Sequence, residues 1–504
     1  MGLICGEKAV TLWLASAVIR LFGSIFRTFD HLRLFAGLYA KSRGSVGGGA
    51  ACPGRWPAGS AAMEDKTVGK FLLTIYDARS ALADAGRLVR RAAEGDHLLK
   101  DYSLESDFVR ELDRDILSYV EKGLENRDED GFNDLALRCF ELQFNTVEPY
   151  RRFCLDKGRS PGKVERWEDI PAVPSMAFKK FVMTSFPAER AEQRYFTSGT
   201  TDPLNKGKIL RDPAGVTLIN AANGLLTREY VFPDVDRMRM FLMVPSPDIA
   251  PGMGMAVGLD VVRRMFGSPD SRYLIDRRGL DLTFLLSALM EAERTGEPIV
   301  IIGSTAGFVY FMNACERDGV RFRLPPGSRL CDGGGYLAQF GECSREEFYL
   351  KSAEILQVDE HHCVNVLGMG EVSTNFFDNV LKDHLAGRPL ARAKVVPPWT
   401  RTRVVDVETL EPVPDGDPGL LRHYDLVNRG MVVAVQTDNV GFMTPGGFEI
   451  IGRWKKTSWE LETEAIKQAH GPRFMTPIIE FLLKRSLKKV GKLHDKITRT
   501  NAGR

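Results

Sequence analysis

Short apolar runs alternate with segments of helical periodicity between residues 238 and 371. The apolar runs predict strands at 238–244, 298–303, 329–331 and 362–367. Apolar spacings of three and four predict helices at 280–292, 306–318 and 348–356. Regular alternation of strand and helix is typical of a mainly parallel sheet with helices on both faces. We therefore predict an α/β fold in which ligands bind at the carboxyl ends of the strands.

A run of small hydroxyl side chains follows the aromatic pair Tyr195-Phe196. The run is Thr197, Ser198, Gly199, Thr200 and Thr201, and Lys206 and Lys208 come soon after it. Each hydroxyl can donate a hydrogen bond, and glycine can turn backbone amides toward one point. Such a group of donors beside two ammonium groups suits a polyphosphate. A polar turn between two strands is the alternative.

Two glycine-containing segments follow predicted strands. Gly333, Gly334 and Gly335 come after the strand at 329–331, and Gly368-Met369-Gly370-Glu371 comes after the strand at 362–367. Because both segments follow strands of the predicted parallel sheet, we expect them at the edge where ligands bind.

The rest of the chain adds further parts to this unit. Residues 64–160 have apolar residues at helical spacing, and 167–174 are predicted to be extended because prolines interrupt them. Strands predicted at 401–407, 431–436 and 448–451 indicate a β-rich subdomain. The last fifty residues are basic and helical. We predict one large domain over 63–453 and a short basic C-terminal segment over 454–504.

Residues 1–62 read as an N-terminal extension. Residues 8–39 form a wide apolar face with a thin basic stripe at helical period, and 42–62 are a Gly/Ala/Pro-rich linker. Residues 8–39 could be an interfacial membrane helix in peripheral contact with a bilayer, a signal peptide, or an upstream extension outside the working protein. We favour the upstream extension and expect a chain beginning at Met63 to keep its activity.

Composition narrows the class of function. The formal net charge of +2 gives no global field that points to nucleic acid. Eight scattered cysteines without metal-ligand spacing are typical of reduced thiols, which predicts a cytoplasmic protein. The longest charge-free part of the N-terminal segment, 9–19, is too short to span a bilayer, so we expect no transmembrane span.

In this order, the motifs resemble those of the adenylate-forming superfamily, which includes acyl-CoA synthetases, luciferases and peptide-synthetase adenylation domains. The hydroxyl run is similar to its phosphate loop, and Leu367–Glu371 to its aromatic-Gly-x-Thr-Glu motif. Thr437-Asp438 stands where the superfamily has Thr-Gly-Asp, and Gly452-Arg453 where it has the hinge Arg. The Asp-Gly-Gly-Gly-Tyr run at 332–336 and the short C-terminal tail most resemble acyl-protein synthetases of the LuxE type.

The resemblance implies a large adenylate-forming domain that converts a carboxylic acid, such as a fatty acid, and ATP into an acyl-adenylate. The hydroxyl run would hold the β- and γ-phosphates, Glu371 would bind Mg²⁺, and Asp438 would accept hydrogen bonds from the ribose. Gly333, Gly334 and Gly335 would let the backbone approach the adenine closely. Gly368 and Met369 would also bind ATP, and Arg453 would contact ribose or phosphate at the hinge. Glu371, Thr200 and Lys208 are the predicted catalytic residues. The acyl group would pass to a thiol of a reductase cysteine, a carrier protein or CoA.

Each assignment has an alternative. Glu371 could be a carboxylate at a helix start, Asp438 a turn residue, the glycine triplet a tight turn, and Arg453 a surface cation. The whole chain could also be an acyl- or aryl-CoA ligase similar to phenylacetate-CoA ligase, or a non-catalytic binding partner.

Several positions depart from the superfamily pattern. Asp202 follows the hydroxyl run where glycine is usual, Leu367 replaces an aromatic residue, and Gly370 replaces a hydroxyl residue. Thr437-Asp438 lacks the intervening glycine, and no cysteine occurs from 364 to 504, where acyl-protein synthetases carry the acyl group. The catalytic lysine of the superfamily's mobile domain is not placed, and Lys455, Lys456 and Lys467 are its candidates.

Two more features are open to interpretation. Six methionines between 238 and 265 could line an acyl channel, although core packing is the simpler reading. They are Met238, Met240, Met243, Met253, Met255 and Met265. His361-His362-Cys363 is interpreted as structural, because adjacent strand residues point to opposite faces.

Overall fold

The computed structural model describes residues 100–196, 207–334, 343–388, 391–455, 460–463 and 483–502. Within these residues the helices are α1 (Asp107–Glu121), α2 (Glu129–Thr146), α3 (Glu148–Asp156), α4 (Ala177–Lys180), α5 (Pro213–Tyr230), α6 (Gly254–Phe266), α7 (Leu282–Thr295), α8 (Thr305–Asp318), α9 (Arg345–Leu356), α10 (Val380–Leu385) and α11 (Val490–Ala502). The strands are β1 (Val173–Pro174), β2 (Gln193–Phe196), β3 (Lys208–Arg211), β4 (Arg239–Pro245), β5 (Arg272–Asp276), β6 (Gly279–Leu280), β7 (Ile299–Ser304), β8 (Arg329–Gly333), β9 (Cys363–Met369), β10 (Val372–Phe377), β11 (Thr400–Val405), β12 (Gly419–Asp425), β13 (Ala434–Thr444), β14 (Gly447–Lys455) and β15 (Glu460–Thr463).

A mainly parallel sheet forms the centre of the described chain, in the order β10-β9-β8-β7-β4-β5-β6. Strands β9, β8, β7, β4 and β5 run parallel, while β10 and β6 pair antiparallel at the two edges. The first five residues of β7, Ile299 to Gly303, are all buried, as expected for a strand covered on both faces. The predicted α/β fold with a parallel sheet is confirmed.

Helices cover this sheet, and their ends carry local signals. The Ser304 side chain accepts a hydrogen bond from the Gly307 amide and so caps the start of α8. The same helix ends at Gly319, which has a left-handed backbone conformation at φ 68°. Ser344 and Glu347 form a reciprocal capping box at the start of α9. These caps explain why the helices predicted at 306–318 and 348–356 form close to the expected bounds.

A second, largely antiparallel sheet contains β11, β12, β13, β14 and β15 in that order. Strand β1 joins it in parallel beside β13, with Val173 opposite Val435. The predicted β-rich subdomain is therefore confirmed. The predicted strand at 431–436 begins later, at Ala434, and continues to Thr444.

A short antiparallel ribbon of β2 and β3 places Phe196 opposite Lys208. The hydroxyl run predicted to bind phosphate comes between these two strands in the sequence and lies outside the described residues. What the structure fixes is the position of its two flanking strands.

The segment 167–174 differs from its predicted extended form. Trp167–Asp169 form a 3₁₀ turn in which the Ile170 amide donates to the Trp167 carbonyl at 3.2 Å. Only residues next to the prolines are extended, because proline restricts the residue immediately before it rather than those further back.

The C-terminal residues pack against the main body. Helix α11 contacts α7 and α8, and the side chains of Leu483, Leu487 and Val490 are buried in the same core cluster as β7. The predicted boundary after residue 453 falls within β14, which pairs with β15. The division of the chain into 1–62, 63–453 and 454–504 stays a prediction.

Across the described parts of the chain, no helix combines the length and apolarity that crossing a bilayer requires.

Candidate active site

Glu371 lies in the two-residue turn between β9 and β10. Two buried side chains donate hydrogen bonds to the backbone carbonyls of this turn. Arg211 donates from Nη2 to the Gly370 carbonyl at 3.0 Å, and Asn428 donates from Nδ2 to the Glu371 carbonyl at 2.9 Å. The alternative that Glu371 starts a helix is wrong, because the turn leads directly into β10.

Asn428 is fully buried and connects four neighbours. Its Oδ1 accepts from Arg211 Nη1 at 3.2 Å and from Ser373 Oγ at 2.6 Å. Its Nδ2 donates to the Val432 carbonyl at 2.6 Å as well as to Glu371. A buried amide with all of these partners satisfied fixes one arrangement of the surrounding backbone.

Burial also shifts the pKa values of two charged groups near the turn, Arg211 and Asp425. It lowers the pKa of the buried Arg211 guanidinium to about 10, although nearby carboxylates and Tyr195 favour the charged form. Burial raises the pKa of Asp425 to about 6, even though that carboxylate accepts hydrogen bonds from the Ser373 and Thr374 amides. Arginine stays protonated at pH 7, so Arg211 remains a fixed positive charge beneath the Glu371 turn.

Glu371 itself is half-buried. Burial raises the pKa of its carboxyl above the ordinary value, and the Asp438 charge acts in the same direction. The positive charges of Lys179 and Arg453 oppose the rise. The charges that act on Glu371 therefore come from three other parts of the chain, α4, β13 and β14.

Asp438 lies inside β13 and is the exposed residue between two buried neighbours, Thr437 and Asn439. The alternative that it is a turn residue is wrong, because the strand continues to Thr444. Thr437 Oγ1 donates to the Leu421 carbonyl at 2.7 Å and accepts from the Asn439 amide at 3.2 Å. These bonds fix the backbone on both sides of Asp438 and leave its carboxylate facing outward.

Arg453 pairs directly with Asn439 across β13 and β14. Its Nε donates to Asn439 Oδ1 at 3.3 Å, and the residue is half-buried. It is therefore a strand residue held by Asn439 rather than a cation on an exposed tail.

The described glycines of the triplet lie at the carboxyl end of β8. Gly333 is its last residue, and Gly334 has φ +114°, a conformation that favours glycine. Gly335 lies outside the described residues. Asn365 Nδ2 donates to the Gly334 carbonyl at 3.3 Å and to Asp332 Oδ2 at 2.8 Å. The segment is thus tied to β9, the strand that leads to Glu371.

Asp332 is fully buried just before this segment. Burial raises the pKa of its carboxyl to about 6, while hydrogen bonds from Thr305 and Asn365 act in the opposite direction. The Lys394 ammonium nearby also favours the ionised form, and the Asp378 carboxylate opposes it. The net result is a carboxyl group whose charge is disfavoured by its surroundings.

Two departures from the superfamily motif have a structural counterpart. A Cβ atom on Gly370 would lie only 3.0 Å from Cγ1 of Ile209, so a larger residue at 370 needs the Ile209 side chain to move. A Cβ on Gly368 would lie 2.8 Å from Asn375 Oδ1. Leu367 is half-buried and packs against the main core cluster. Gly370 and Ile209 therefore fit each other as a pair.

Some of the remaining predicted site residues are described by the structure, and others are not. Lys208 is exposed at the start of β3, and Gly368 and Met369 are the last two residues of β9. The residues Thr197, Ser198, Gly199, Thr200, Thr201 and Lys206 lie outside the described residues. The roles assigned to all of these residues stay predictions.

The methionines divide between core and surface. Met238, Met240 and Met243 are buried, which supports the core reading for those three. Met255 and Met265 on α6 are 39% and 42% exposed, and the Met255 methyl would lie 3.4 Å from a Cβ on Gly333. Helix α6 therefore presents the Met255 side chain next to the glycine segment.

The His361-His362-Cys363 sequence is not a catalytic arrangement. His361 and His362 lie in a 3₁₀ turn, and Cys363 is the buried first residue of β9. Burial raises the pKa of the Cys363 thiol above its ordinary range.

Sequence reasoning missed three residues that surround the turn of Glu371. They are Lys179, Arg211 and Asn428, which come from α4, β3 and the segment after β12. None of them stands in a recognisable sequence motif. Only pairing between distant strands brings them together.

The fold and this arrangement define an α/β protein with a candidate ligand-binding site where its two main sheets meet. A family model described as acyl-protein synthetase, LuxE, matches residues 108–463. The chain belongs to this family, and the predicted resemblance is confirmed.

Two curated relatives are long-chain-fatty-acid–luciferin-component ligases. The one from Aliivibrio fischeri is 24% identical over 314 residues, and the one from Vibrio harveyi is 23% identical over 314 residues. Each match covers 61% of this chain and 78% of the relative. A solved structure of 2-hydroxyisobutyryl-CoA ligase in complex with 2-HIB-AMP and CoA has a TM-score of 0.45 and 12% identity, covering 67% of this chain and 70% of that chain.

Proposed function

We propose that this protein activates a fatty acid with ATP, as an acyl-adenylate, and passes the acyl group to a thiol of another molecule. Family membership supports the class of reaction, because the matching model is that of acyl-protein synthetases. The names of the two curated relatives support a long-chain fatty acid as the substrate. The position of Glu371 in the turn after β9, where Arg211 and Asn428 hold the backbone, is the structural observation that carries the proposal.

Charge is the main obstacle to the first step. A carboxylate must approach a triphosphate of the same sign, so catalysis depends on positioning and on neutralising charge. Arg453 contributes a positive charge at the rim, and Arg211 contributes one below the turn. In this proposal Asp438, the exposed carboxylate of β13, accepts hydrogen bonds from the ribose hydroxyls.

Glu371 fits a role as a ligand for Mg²⁺. Its carboxyl has a raised pKa because it is desolvated, and a bound cation would favour the charged form that the protein alone disfavours. No three His, Cys, Asp or Glu side chains group into a metal site within the described ranges. Mg²⁺ commonly binds through one or two carboxylates together with substrate phosphates, and this agrees with a single protein ligand. Bound Mg²⁺ would supply charge neutralisation at the phosphates.

An acyl chain has an apolar surface available beside the glycine segment. Met255 on α6 is 39% exposed and approaches Gly333, whereas Met265 lies next to Gly224 of α5. Methionine is unbranched and flexible, so it adapts to long aliphatic chains. In this proposal the Met255 side chain contacts the aliphatic chain of the substrate.

The thiol acceptor is proposed to lie on another molecule. All six cysteines within the described residues are buried: Cys139, Cys154, Cys315, Cys331, Cys343 and Cys363. A reductase cysteine, a carrier-protein phosphopantetheine and CoA remain the candidate acceptors.

ATP–pyrophosphate exchange with a panel of carboxylic acids tests the proposal. We expect exchange to rise with aliphatic chain length and to require Mg²⁺. Absence of exchange with every acid would favour a non-catalytic relative. Exchange followed by transfer to CoA alone would favour the CoA-ligase alternative.

A further inference from the structure

Lys179 lies on the short helix α4, directly after a strand that joins the second sheet. The Ser175 amide donates to the Gln436 carbonyl at 2.8 Å, which extends the parallel pairing of β1 with β13. Asp438 is two residues further along the same strand. The backbone therefore places α4 near the part of β13 that carries the exposed Asp438 carboxylate.

A second set of contacts fixes α4 from the opposite side. Phe178 is buried in the main core cluster, and α4 contacts β3. Strand β3 also supplies Ile209, which packs against Gly370, and Arg211, which donates to the Gly370 carbonyl. The helix that carries Lys179 and the turn that carries Glu371 therefore both contact β3.

Lys179 and Lys180 differ in their surroundings although they are neighbours. Lys179 is half-buried, whereas Lys180 is exposed. The half-buried Lys179 lies on the helix that follows the strand paired with β13 and that contacts β3. These two strands carry Asp438 and a side chain that supports the turn of Glu371, so a positive charge on this helix is close to an anion that both residues help to bind.

We propose that Lys179 is a catalytic residue of acyl-adenylate formation, in which its ammonium group binds the anionic oxygens of the reacting carboxylate and α-phosphate. This role rests on the proposed function. One carboxylate oxygen forms a bond to the α-phosphorus, and the bond from that phosphorus to the pyrophosphate oxygen breaks. The electron pair leaves with pyrophosphate, and no proton is transferred. Lysine suits this step because it is a compact point charge with three donors.

The test compares Lys179→Gln with Lys180→Gln, which removes an equal charge one residue away. Steady-state pyrophosphate exchange is measured with ATP, Mg²⁺ and a saturated long-chain fatty acid. We expect Lys179→Gln to lower kcat by about 100- to 1,000-fold, as for removal of one donor to a transition-state anion. Lys180→Gln should stay within twofold of the parent, and Lys179→Arg should recover at least tenfold over Lys179→Gln.

Two further readouts separate catalysis from folding. The thermal midpoint of Lys179→Gln should match that of Lys180→Gln, and the KM for ATP should change much less than kcat, because the contact strengthens in the transition state. Exchange by Lys179→Gln within threefold of an active parent overturns the role of Lys179 and leaves the proposed function standing. Loss of activity in Lys455→Gln, Lys456→Gln or Lys467→Gln, with Lys179→Gln active, assigns the role to the C-terminal segment. A parent without exchange for any acid overturns both proposals.

Discussion

Asn428 donates a hydrogen bond to the backbone carbonyl of Glu371 at 2.9 Å, although 57 residues separate them in the sequence. The bond joins the first sheet to the segment between β12 and β13 of the second. It restrains the backbone of Glu371 without using its carboxylate. The position of the predicted metal ligand therefore depends on a side chain that has no direct part in the proposed chemistry.

Replacing Asn428 with alanine should destabilise the protein and weaken its activity. The change leaves the Glu371 and Val432 carbonyls without this partner in a buried site, and an unsatisfied buried group costs about 1–3 kcal/mol. The free energy of unfolding from urea titration measures the loss. Asn145→Ala is the control, because Asn145 is exposed and should change stability by less than about 0.5 kcal/mol. Equal stabilities for the two variants would contradict the bridging role of Asn428.

Asp438→Asn should weaken the use of ATP without affecting the fold. Its carboxylate is exposed in β13, so the substitution removes charge from the site and no buried contact. Loss of charge-assisted hydrogen bonds to the ribose corresponds to about 1.5–3 kcal/mol, or about 10- to 150-fold in kcat/KM for ATP. Asp415→Asn, in an exposed loop, serves as the control. Parent-like kinetics with ATP would remove Asp438 from the site.

The fold class and the placement of the glycine segments after strands were predictable because they depend on local signals. Strand–helix alternation, the glycines after β8 and β9, and Asp438 all follow from periodicity or short motifs. The supports of the turn were not predictable, since Arg211, Asn428 and Glu371 lie far apart along the chain. The need for glycine at 370 was not predictable either, because a larger residue there would contact Ile209 on another strand. Contacts that depend on strand pairing across two sheets leave no regular spacing in a single sequence.

Asp332→Asn should stabilise the protein at neutral pH and by less at acidic pH. The buried carboxyl has a pKa of about 6, above the ordinary value of 3.8, so the folded state holds its proton more tightly than the unfolded state. In the parent, stability from this group is complete below about pH 4 and is lost as pH rises to about 6. The asparagine oxygen can still accept from Thr305 and Asn365, and it carries no charge.

Unfolding of parent and variant is compared between pH 4 and pH 8. The stability difference in favour of Asp332→Asn should grow by about 1–3 kcal/mol between pH 4 and pH 6 and then level off. Asp113 and Asp425 also have a pKa of about 6, but they titrate in both proteins and cancel in the difference. A difference that stays constant with pH would show that Asp332 does not ionise in this range.

The last prediction concerns the fate of the acyl group. Burial raises the pKa of the Cys343 thiol to about 11, and of Cys139, Cys154 and Cys315 to about 12. Burial also raises the pKa of Cys331 and Cys363. The thiolate is the nucleophile, so these cysteines should not accept an acyl group at neutral pH.

Incubation with ATP and a labelled fatty acid should therefore yield acyl-adenylate, without a hydroxylamine-sensitive label on these six cysteines. Adding CoA or a carrier-protein phosphopantetheine should move the label to the added thiol. Peptide mapping distinguishes the six cysteines from Cys5 and Cys52, which lie outside the described residues. Stoichiometric label on Cys343 or Cys363 would contradict the prediction, because acylation there requires the buried thiol to reach solvent and lose its proton.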